Sequence, residues 1–400
     1  MNKKKVLFLI HTLSSGGAER ILINTVNNLD RSKYDITVMT VIDTGFLRNE
    51  IGEGITYKSI LKKPWKKNDK ENQNNETVKS GGLLDEKSLL KTLAMKIYSF
   101  LWKISNPKIL HSLFIGKNYD VEIAFLEGIP AKLISSSNNK NSKKYCWIHV
   151  DLLNERKSEK FFINRKSEKK CYKSFDHIYC VSNFAKEQFI KKFNFNRDKV
   201  SVQYNPIDEK NILKLAGNIK PKKAEVFVFS AFGRLATQKR FDRLISVTER
   251  LVKENITNFK IDIYGEGPNK LELEKRIKLL NLDKYITLQG FTSNPYVKMV
   301  SSNMVICSSK AEGFSTVVCE AVVLGIPVIT TNCSGMKEIL GNSEFGLITE
   351  NNTESLFQGV KSILTNAEIF EFYKEKVNER KTFFSLDKVI KEIETIIDKG

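Results

Sequence analysis

The chain has 400 residues, 41% of them apolar, with a mean hydropathy of -0.30 and a formal charge of +19. That length is more than one ordinary core needs and fits two domains of roughly 150 to 200 residues. No apolar run reaches the ~20 residues that span a bilayer, and the start MNKKKVLFLIHTLSSGGAER lacks a small-residue cleavage site, so the expected compartment is the cytoplasm.

Cysteines at 146, 171, 180, 307, 319 and 333 form no C-x-x-C pair and there are only four histidines, which points to buried, reduced thiols and no structural zinc. Residues 1 to 205 carry 37 Lys and Arg against 21 Asp and Glu, and the remainder 28 against 25, so the basicity belongs to the first half. Such a face attracts nucleic acid, anionic lipid or a phosphorylated acceptor, or it reflects a Lys- and Asn-rich genome. No helix-turn-helix, RRM-like, KH-like or zinc-finger pattern is present, and no nucleic-acid partner is expected.

In chain order, Val6 to Ile10 is an apolar strand, followed by the turn HTLSSGG and a helix over AERILINTVNNL. Gly16 and Gly17 either bring backbone amides close to a ligand at that helix N-terminus or form a simple tight turn, and no Walker lysine accompanies them. Tyr34 to Val41 is the next strand. Residues 62 to 88 are charged and Asn-rich and read as a loop or insertion with little structure. Leu89 to Ile104 is apolar and aromatic with lysines at 91, 96 and 103; it is either an interfacial helix or a helix packed on the first domain. Tyr119 to Phe125 and Lys144 to Val150 are strands. His149 ends the second of these beside Asp151, where an imidazole either hydrogen-bonds a ligand or is a satisfied core residue. His11 is a weaker candidate, and His111 and His177 read as surface or packing residues. The basic run from Asn154 to Tyr172 is an acceptor- or membrane-facing patch or a solvated helix face. Phe175 to Val181 is a strand followed by a helix over FAKEQFIKKF, Val200 to Tyr204 then leads to NPIDE, and Pro206 marks a boundary before a linker at 208 to 224.

Glu225 to Ala231 is a strand feeding GRLATQKRFDRLI, in which Gly233 makes room while Arg234 and Lys239 offer a donor fork and a mobile charge to a diphosphate, or are surface cations. Phe259 to Tyr264 is a strand ending in GEGP, whose Gly265 and Gly267 permit close approach to a ligand. Ile286 to Gly290 is the next strand, with Phe291 and Thr292 in its loop. Met304 to Cys307 follows, and Ser308 to Lys310 break it ahead of Glu312, Gly313 and Ser315, a candidate N-cap for the helix TVVCEAVVLG. Gly325 and Pro327 stop that helix before a strand at Val328 to Thr331. Glu312 therefore sits in a loop at the carboxyl end of a strand, where open α/β sheets bind ligands, with Glu320 one to two turns down the helix. Two carboxylates beside an anion-attracting helix end suit a ligand that is part sugar and part phosphate, unless both are solvated surface residues. Ser334 and Gly335 lie near another strand end, FGLI at 345 to 348 follows, and the last helices carry Phe370, Phe372, Tyr373, Phe383 and Phe384.

EGFSTVVCEAVVLGIPVITTNCSG resembles the E-x7-E region of the retaining nucleotide-sugar glycosyltransferases of family 4. SSGGAER, WIHVD, AFGRLATQKRFDRLI and YGEGP appear in that family's order, so the resemblance covers nearly the whole chain. It implies an α/β protein with the GT-B fold, two Rossmann-like domains facing across a central cleft: residues 1–207 on the acceptor side, a linker at 208–224, a nucleotide-sugar domain at 225–375, and a helix at 376–400 returning to the first domain. It implies transfer of a hexosyl unit from a nucleoside diphosphate sugar, expected to be a UDP-sugar, to a hydroxyl of a saccharide or lipid-linked acceptor in capsule, exopolysaccharide or glycolipid assembly. The reaction would retain configuration by a same-face displacement in which the leaving phosphate oxygen helps deprotonate the acceptor. Peripheral contact with an anionic membrane would accompany it, no cofactor would be obligatory, and without a D-x-D stretch no metal is expected. By the same resemblance Glu312 aligns the donor sugar, His149 positions it, Arg234 and Lys239 hold the diphosphate, and Glu320 takes the ribose hydroxyls. Gly16, Gly17, Gly265, Gly267, Phe291, Gly313, Phe314 and Ser315 complete the donor contacts. The family's commoner pattern follows the lysine with glycine, whereas Arg240 stands here. A GT-B enzyme with another activated donor or a protein acceptor, and a non-enzymatic carbohydrate-binding protein, remain alternatives.

Overall fold

Runs of Val, Ile and Phe that alternate with helical segments build parallel sheets covered on both faces. In the computed structural model, residues 3–14, 16–62, 86–156, 158–217 and 226–400 are described, with side chains of the helix Glu86–Ile104 described from residue 93. The first sheet contains β1 (Lys4–Ile10), β2 (Tyr34–Ile42), β3 (Thr56–Leu61), β4 (Val121–Ala124), β5 (Lys143–Ile148), β6 (His177–Cys180) and β7 (Val200–Val202) in the order β3-β2-β1-β4-β5-β6-β7. The pairs from β3 to β6 are parallel, with Val6 opposite both Ile36 and Val121. The second sheet contains β8 (Phe227–Phe232), β9 (Phe259–Tyr264), β10 (Ile286–Gly290), β11 (Met304–Cys307), β12 (Val328–Thr331) and β13 (Leu347–Thr349), parallel throughout in the order β10-β9-β8-β11-β12-β13. Each order reverses beside its first strand, between β1 and β4 and between β8 and β11, and these switch points are where such sheets open to ligands.

The chain divides into two compact units, one of residues Met1–Cys180, Phe189–Ser201 and Ile393–Gly400, the other of Val181–Gln188 and Val202–Glu392. The last helix, Leu386–Asp398, therefore gives its final turns to the first unit. There the Lys4 ammonium donates to the carbonyls of Ile397 at 3.1 Å and Asp398 at 3.0 Å, and the Tyr34 hydroxyl donates to Asp398 at 2.8 Å. A cation on the last carbonyls satisfies groups the helix cannot pair itself. The sequence placed the start of this return at 376, but Tyr373 and Val377 are buried in the second unit and the division falls at Glu392.

Three further elements differ from the sequence reading. The edge strand β3 is short and largely solvent-facing, which left too little apolar signal to see. Most of the segment read as unstructured, residues 63 to 85, lies outside the described residues, and its last residues open the helix Glu86–Ile104. The stretch read as a linker holds the helix Glu209–Ala216, started by the Asp208 carboxylate accepting from the Asn211 amide at 3.0 Å and anchored by buried Ile212 and Ala216; residues 218 to 225 lie outside the described residues.

Backbone contacts stitch the carboxyl ends of β8, β9 and β10 together. The Gly233 amide donates to the Tyr264 carbonyl at 3.0 Å, Leu235 to Glu266 at 3.0 Å, and Gly265 to Gly290 at 2.7 Å. Gly265 has a φ of 150°, and a Cβ there would overlap the Gly233 carbonyl oxygen, so this glycine lets backbone approach backbone. Gly265→Ala is expected to lose about 2 kcal/mol or more in urea unfolding; an unchanged midpoint and slope would show that the stitch does not constrain the loops.

Candidate functional site

Two loops leave the second sheet at its switch point, one from β8 and one from β11, and they meet through an ion pair. The Lys239 ammonium lies 2.7 Å from Glu312 Oε1, with 18% and 11% of the two side chains exposed. Burial alone would lower the lysine's pKa, but the adjoining carboxylate outweighs it and holds the pKa above its ordinary value. The Ser309 hydroxyl donates to the same carboxylate oxygen at 2.6 Å, fixing its rotamer. The two loops are also zipped along their backbones. Ser308 Oγ donates to the Lys239 carbonyl at 2.8 Å, the Lys310 amide to the Gln238 carbonyl at 2.8 Å, and Gln238 Nε2 to the Ala311 carbonyl at 2.9 Å.

Lys239 reaches Glu312 by lying across Gly233, where a Cβ would come 2.8 Å from its Cε. The next residue, Arg240, takes the left-handed conformation at φ 52° that glycine adopts without cost. Its guanidinium forks onto Asp242 at 2.8 to 3.1 Å, a local pair that offsets part of the strain and explains how arginine stands where glycine is commoner. Arg234, one residue past Gly233, is exposed and makes no hydrogen bond or ion pair among the described residues, so its charge is available.

After Glu312 the chain enters the helix Thr316–Leu324 with Ser315 as N-cap. The expected cap bond is absent: Ser315 Oγ is buried and has no hydrogen-bond partner. An orphaned hydroxyl beside the unpaired first amides of a helix forms a donor set for an anion. Phe314 is buried against Tyr204, 5.4 Å between ring centroids, so it offers a ligand backbone rather than a ring. The Gly313 carbonyl is occupied by the Ser182 hydroxyl at 3.1 Å, and Gly335 has a φ of 53° where a Cβ would crowd that carbonyl. Glu320 is half-buried in the fifth position of the helix. Phe291 follows β10 and is 58% exposed. Gly265 and Gly267 serve the backbone stitch: a Cβ at either would strike Gly233 or Leu235. Among the described residues no group of three His, Cys, Asp or Glu side chains is arranged to hold a metal, and all six cysteines are buried and free.

In the first unit His149 directly follows β5. It is 8% exposed, its ring lies 4.9 Å from that of Phe125, and its Nε2 is buried without a hydrogen-bond partner. Burial pushes its pKa down to about 3, so the imidazole is neutral at physiological pH. His11 is likewise lowered to about 4, by burial and then by Lys160. Gly17 is the first residue of the helix Gly17–Asn28 and Gly16 its N-cap in an extended conformation; a Cβ on Gly16 would strike the Glu19 carboxylate. His111 is fully buried against Glu122 at 2.9 Å, and His177 meets Ser201 at 2.9 Å.

The helix Glu86–Ile104 is fixed inward by Trp102 and Tyr98, and its last carbonyls, Trp102 and Lys103, accept from the buried Lys132 ammonium. Leu93, Ile97, Phe100, Leu101 and Ile104 recur at helical spacing on one face and are 51 to 60% exposed. Ile109 and Leu113 of the next helix, Pro107–Phe114, are exposed as well, and Lys96 and Lys108 add exposed cations. No helix among the described residues is long and apolar enough to cross a membrane.

Residues 214–380 match the family Glycosyl transferases group 1, and residues 140–211 match Glycosyltransferase Family 4. A protein of Campylobacter jejuni, N-acetylgalactosamine-N,N'-diacetylbacillosaminyl-diphospho-undecaprenol 4-alpha-N-acetylgalactosaminyltransferase, is 30% identical over 400 residues, covering 97% of this chain and 98% of its own. Two solved structures share the fold: Anabaena HepE in complex with UDP and glucose, with a TM-score of 0.69 at 18% identity over 99% of this chain and 100% of its own, and Staphylococcus aureus TarM in complex with UDP, fondaparinux and alpha-GlcNAc-glycerol, with 0.71 at 16% over 98% and 99%.

Because stability depends on which state binds protons, the buried histidine gives a sign. Between pH 6.5 and 3 the unfolded His149 takes up a proton that the folded one refuses, so its contribution is present above pH 6.5 and lost on acidification. Moving from pH 7 to 5 should cost about 2 kcal/mol through this residue, and His149→Phe should remove that part of the pH dependence in urea titrations. Parallel pH profiles for the two proteins would contradict the assignment.

Proposed function

The chain belongs to the GT-B glycosyltransferases of the group 1 and family 4 kind, and on that premise we propose that it moves a hexosyl unit from a UDP-sugar to a hydroxyl of a saccharide or lipid-linked acceptor, with retention and without a metal. The observation that carries this reading is the Lys239–Glu312 pair beside a helix N-terminus with an orphaned, buried Ser315 hydroxyl. The diphosphate binds the helix amides, Ser315 and Arg234, with Lys239 closing on it. Glu312 accepts hydrogen bonds from the sugar, Glu320 from the ribose, and neutral His149 hydrogen-bonds the transferred sugar. Gly16 and Gly17 offer backbone amides to substrate, and Phe291 contacts the base.

In the transfer, the bond from the anomeric carbon to the phosphate oxygen breaks and the acceptor oxygen bonds the same face. The acceptor proton passes to the departing phosphate, leaving a glycoside and UDP. Charge developing on that phosphate is met by donors already in place, which is how a preorganised site lowers a barrier. An α product, as in the name of the Campylobacter relative, is what retention gives from an α-linked donor.

The exposed stripe on Glu86–Ile104, with its flanking lysines, docks the first unit on anionic lipid at the cytoplasmic face, where cell-surface polysaccharide or glycolipid precursors are lipid-linked. The acceptor named for the Campylobacter relative is carried on diphospho-undecaprenol.

Mass-resolved binding and turnover against UDP-, GDP-, ADP- and dTDP-hexoses, with and without EDTA, should select one UDP-sugar and be insensitive to EDTA. Selection of another nucleotide, or loss of turnover in EDTA, would overturn those parts. Glu312→Ala should lower transfer ~100-fold while leaving UDP binding intact, and Arg234→Ala should weaken both; wild-type activity in either folded variant would remove its role. Ile97→Ser with Leu101→Ser should reduce flotation with anionic liposomes, and unchanged flotation would discard the docking surface.

A further inference from the structure

We propose that Arg243, with Asn351, is a positioning residue that holds the Glu312 carboxylate in place from behind its loop; this rests on Glu312 acting on the donor sugar. Arg243 is the third residue of the helix Phe241–Lys253 and only 6% exposed. Its Nη1 donates to the Ser308 carbonyl at 3.3 Å and to Asn351 Oδ1 at 2.6 Å, and its Nη2 to the Asn351 carbonyl at 3.1 Å. Asn351 Nδ2 in turn donates to the Lys310 carbonyl at 2.8 Å. The carbonyls on either side of Ser309 are thus gripped, and the carbonyl of Ser309 itself accepts from Thr331 Oγ1 at 2.7 Å. What remains of Ser309 is its hydroxyl, which orients Glu312. Among the described residues the brace makes no hydrogen bond or ion pair to Glu312 or Lys239.

The chemistry of the brace argues against a purely packing role. Among the described residues Arg243 has no carboxylate partner within ion-pair distance, and its pKa is lowered, first by burial and then by Arg240. Burying a guanidinium against neutral acceptors is costly, and an apolar side chain of similar volume would fill the space without that cost. What an apolar residue cannot do is hold three carbonyl-type oxygens at once, as the two terminal nitrogens of Arg243 do. The residue is spent on geometry at the one loop that carries Glu312, where a displacement on the order of 1 Å can cost ~100-fold in rate.

The test uses Arg243→Met, Arg243→Lys and Asn351→Ser in the full chain, at a temperature well below unfolding, with UDP affinity measured separately. We expect Arg243→Met to lower kcat about 30-fold and Asn351→Ser about 5-fold, with UDP affinity within about twofold because the diphosphate donors lie elsewhere. Arg243→Lys should not restore activity, since an ammonium cannot span the acceptors. The deciding readout is the double variant with Glu312→Ala, where Asn351→Ser should have no further effect on transfer if it acts through that carboxylate. Wild-type kcat in Asn351→Ser and the Arg243 variants, or losses that multiply with that of Glu312→Ala, would overturn the proposal. If Arg243→Met fails to fold, Asn351→Ser alone carries the test. Glu312→Ala with unchanged transfer would instead sink the donor-site reading itself.

Discussion

The Lys239–Glu312 ion pair is the contact on which the second unit's site depends, because it joins the two loops that leave the sheet on either side of its switch point. Leu235, Ala311 and Phe314 anchor the two loops by burial, and polar groups fix their geometry: the Ser309 hydroxyl, the Gln238 amide, and the carbonyls that Ser308 and Arg243 engage. The pair also keeps two charges from standing unpaired in a partly buried place, which neither could do cheaply alone. A ligand that brings its own phosphate and hydroxyls can take over some of these bonds without rebuilding the loops.

Gly233 and Arg240 show how the backbone makes this contact reachable. Gly233 has no Cβ to block the lysine, and Arg240 turns the chain left-handed at once afterwards. The sequence flagged Arg240 as a departure. Its fork onto Asp242, two residues on, is legible only afterwards, because the strain that the pair offsets is a property of the backbone.

Strands with dense apolar runs, such as Val6 to Ile10 and Met304 to Cys307, were legible in the sequence, as were the helix from Thr316 and its stop at Gly325. The edge strand β3 and the helix Glu209–Ala216 were not, since one is half solvent-facing and the other follows a proline that reads as a boundary. In the candidate site, residue type singled out Glu312 and Lys239, and the fold brings these two together. Ser309 read only as a strand breaker, and Arg243 and Asn351 lie 108 positions apart, so their meeting is a fact of the fold. GEGP was read for approach to a ligand, whereas its glycines first admit the neighbouring backbone. In the first unit the isolation of His149 Nε2 could not have been read from WIHVD, because it follows from what packs around the ring.

A crystal structure of the protein with the proposed UDP-sugar donor would test the central claim most directly. The account predicts the diphosphate at the N-terminus of Thr316–Leu324, with Ser315 Oγ donating to it and the sugar hydroxyls on Glu312. A nucleotide bound away from that helix, with Ser315 still unpartnered and the Lys239–Glu312 pair undisturbed by sugar or phosphate, would contradict it.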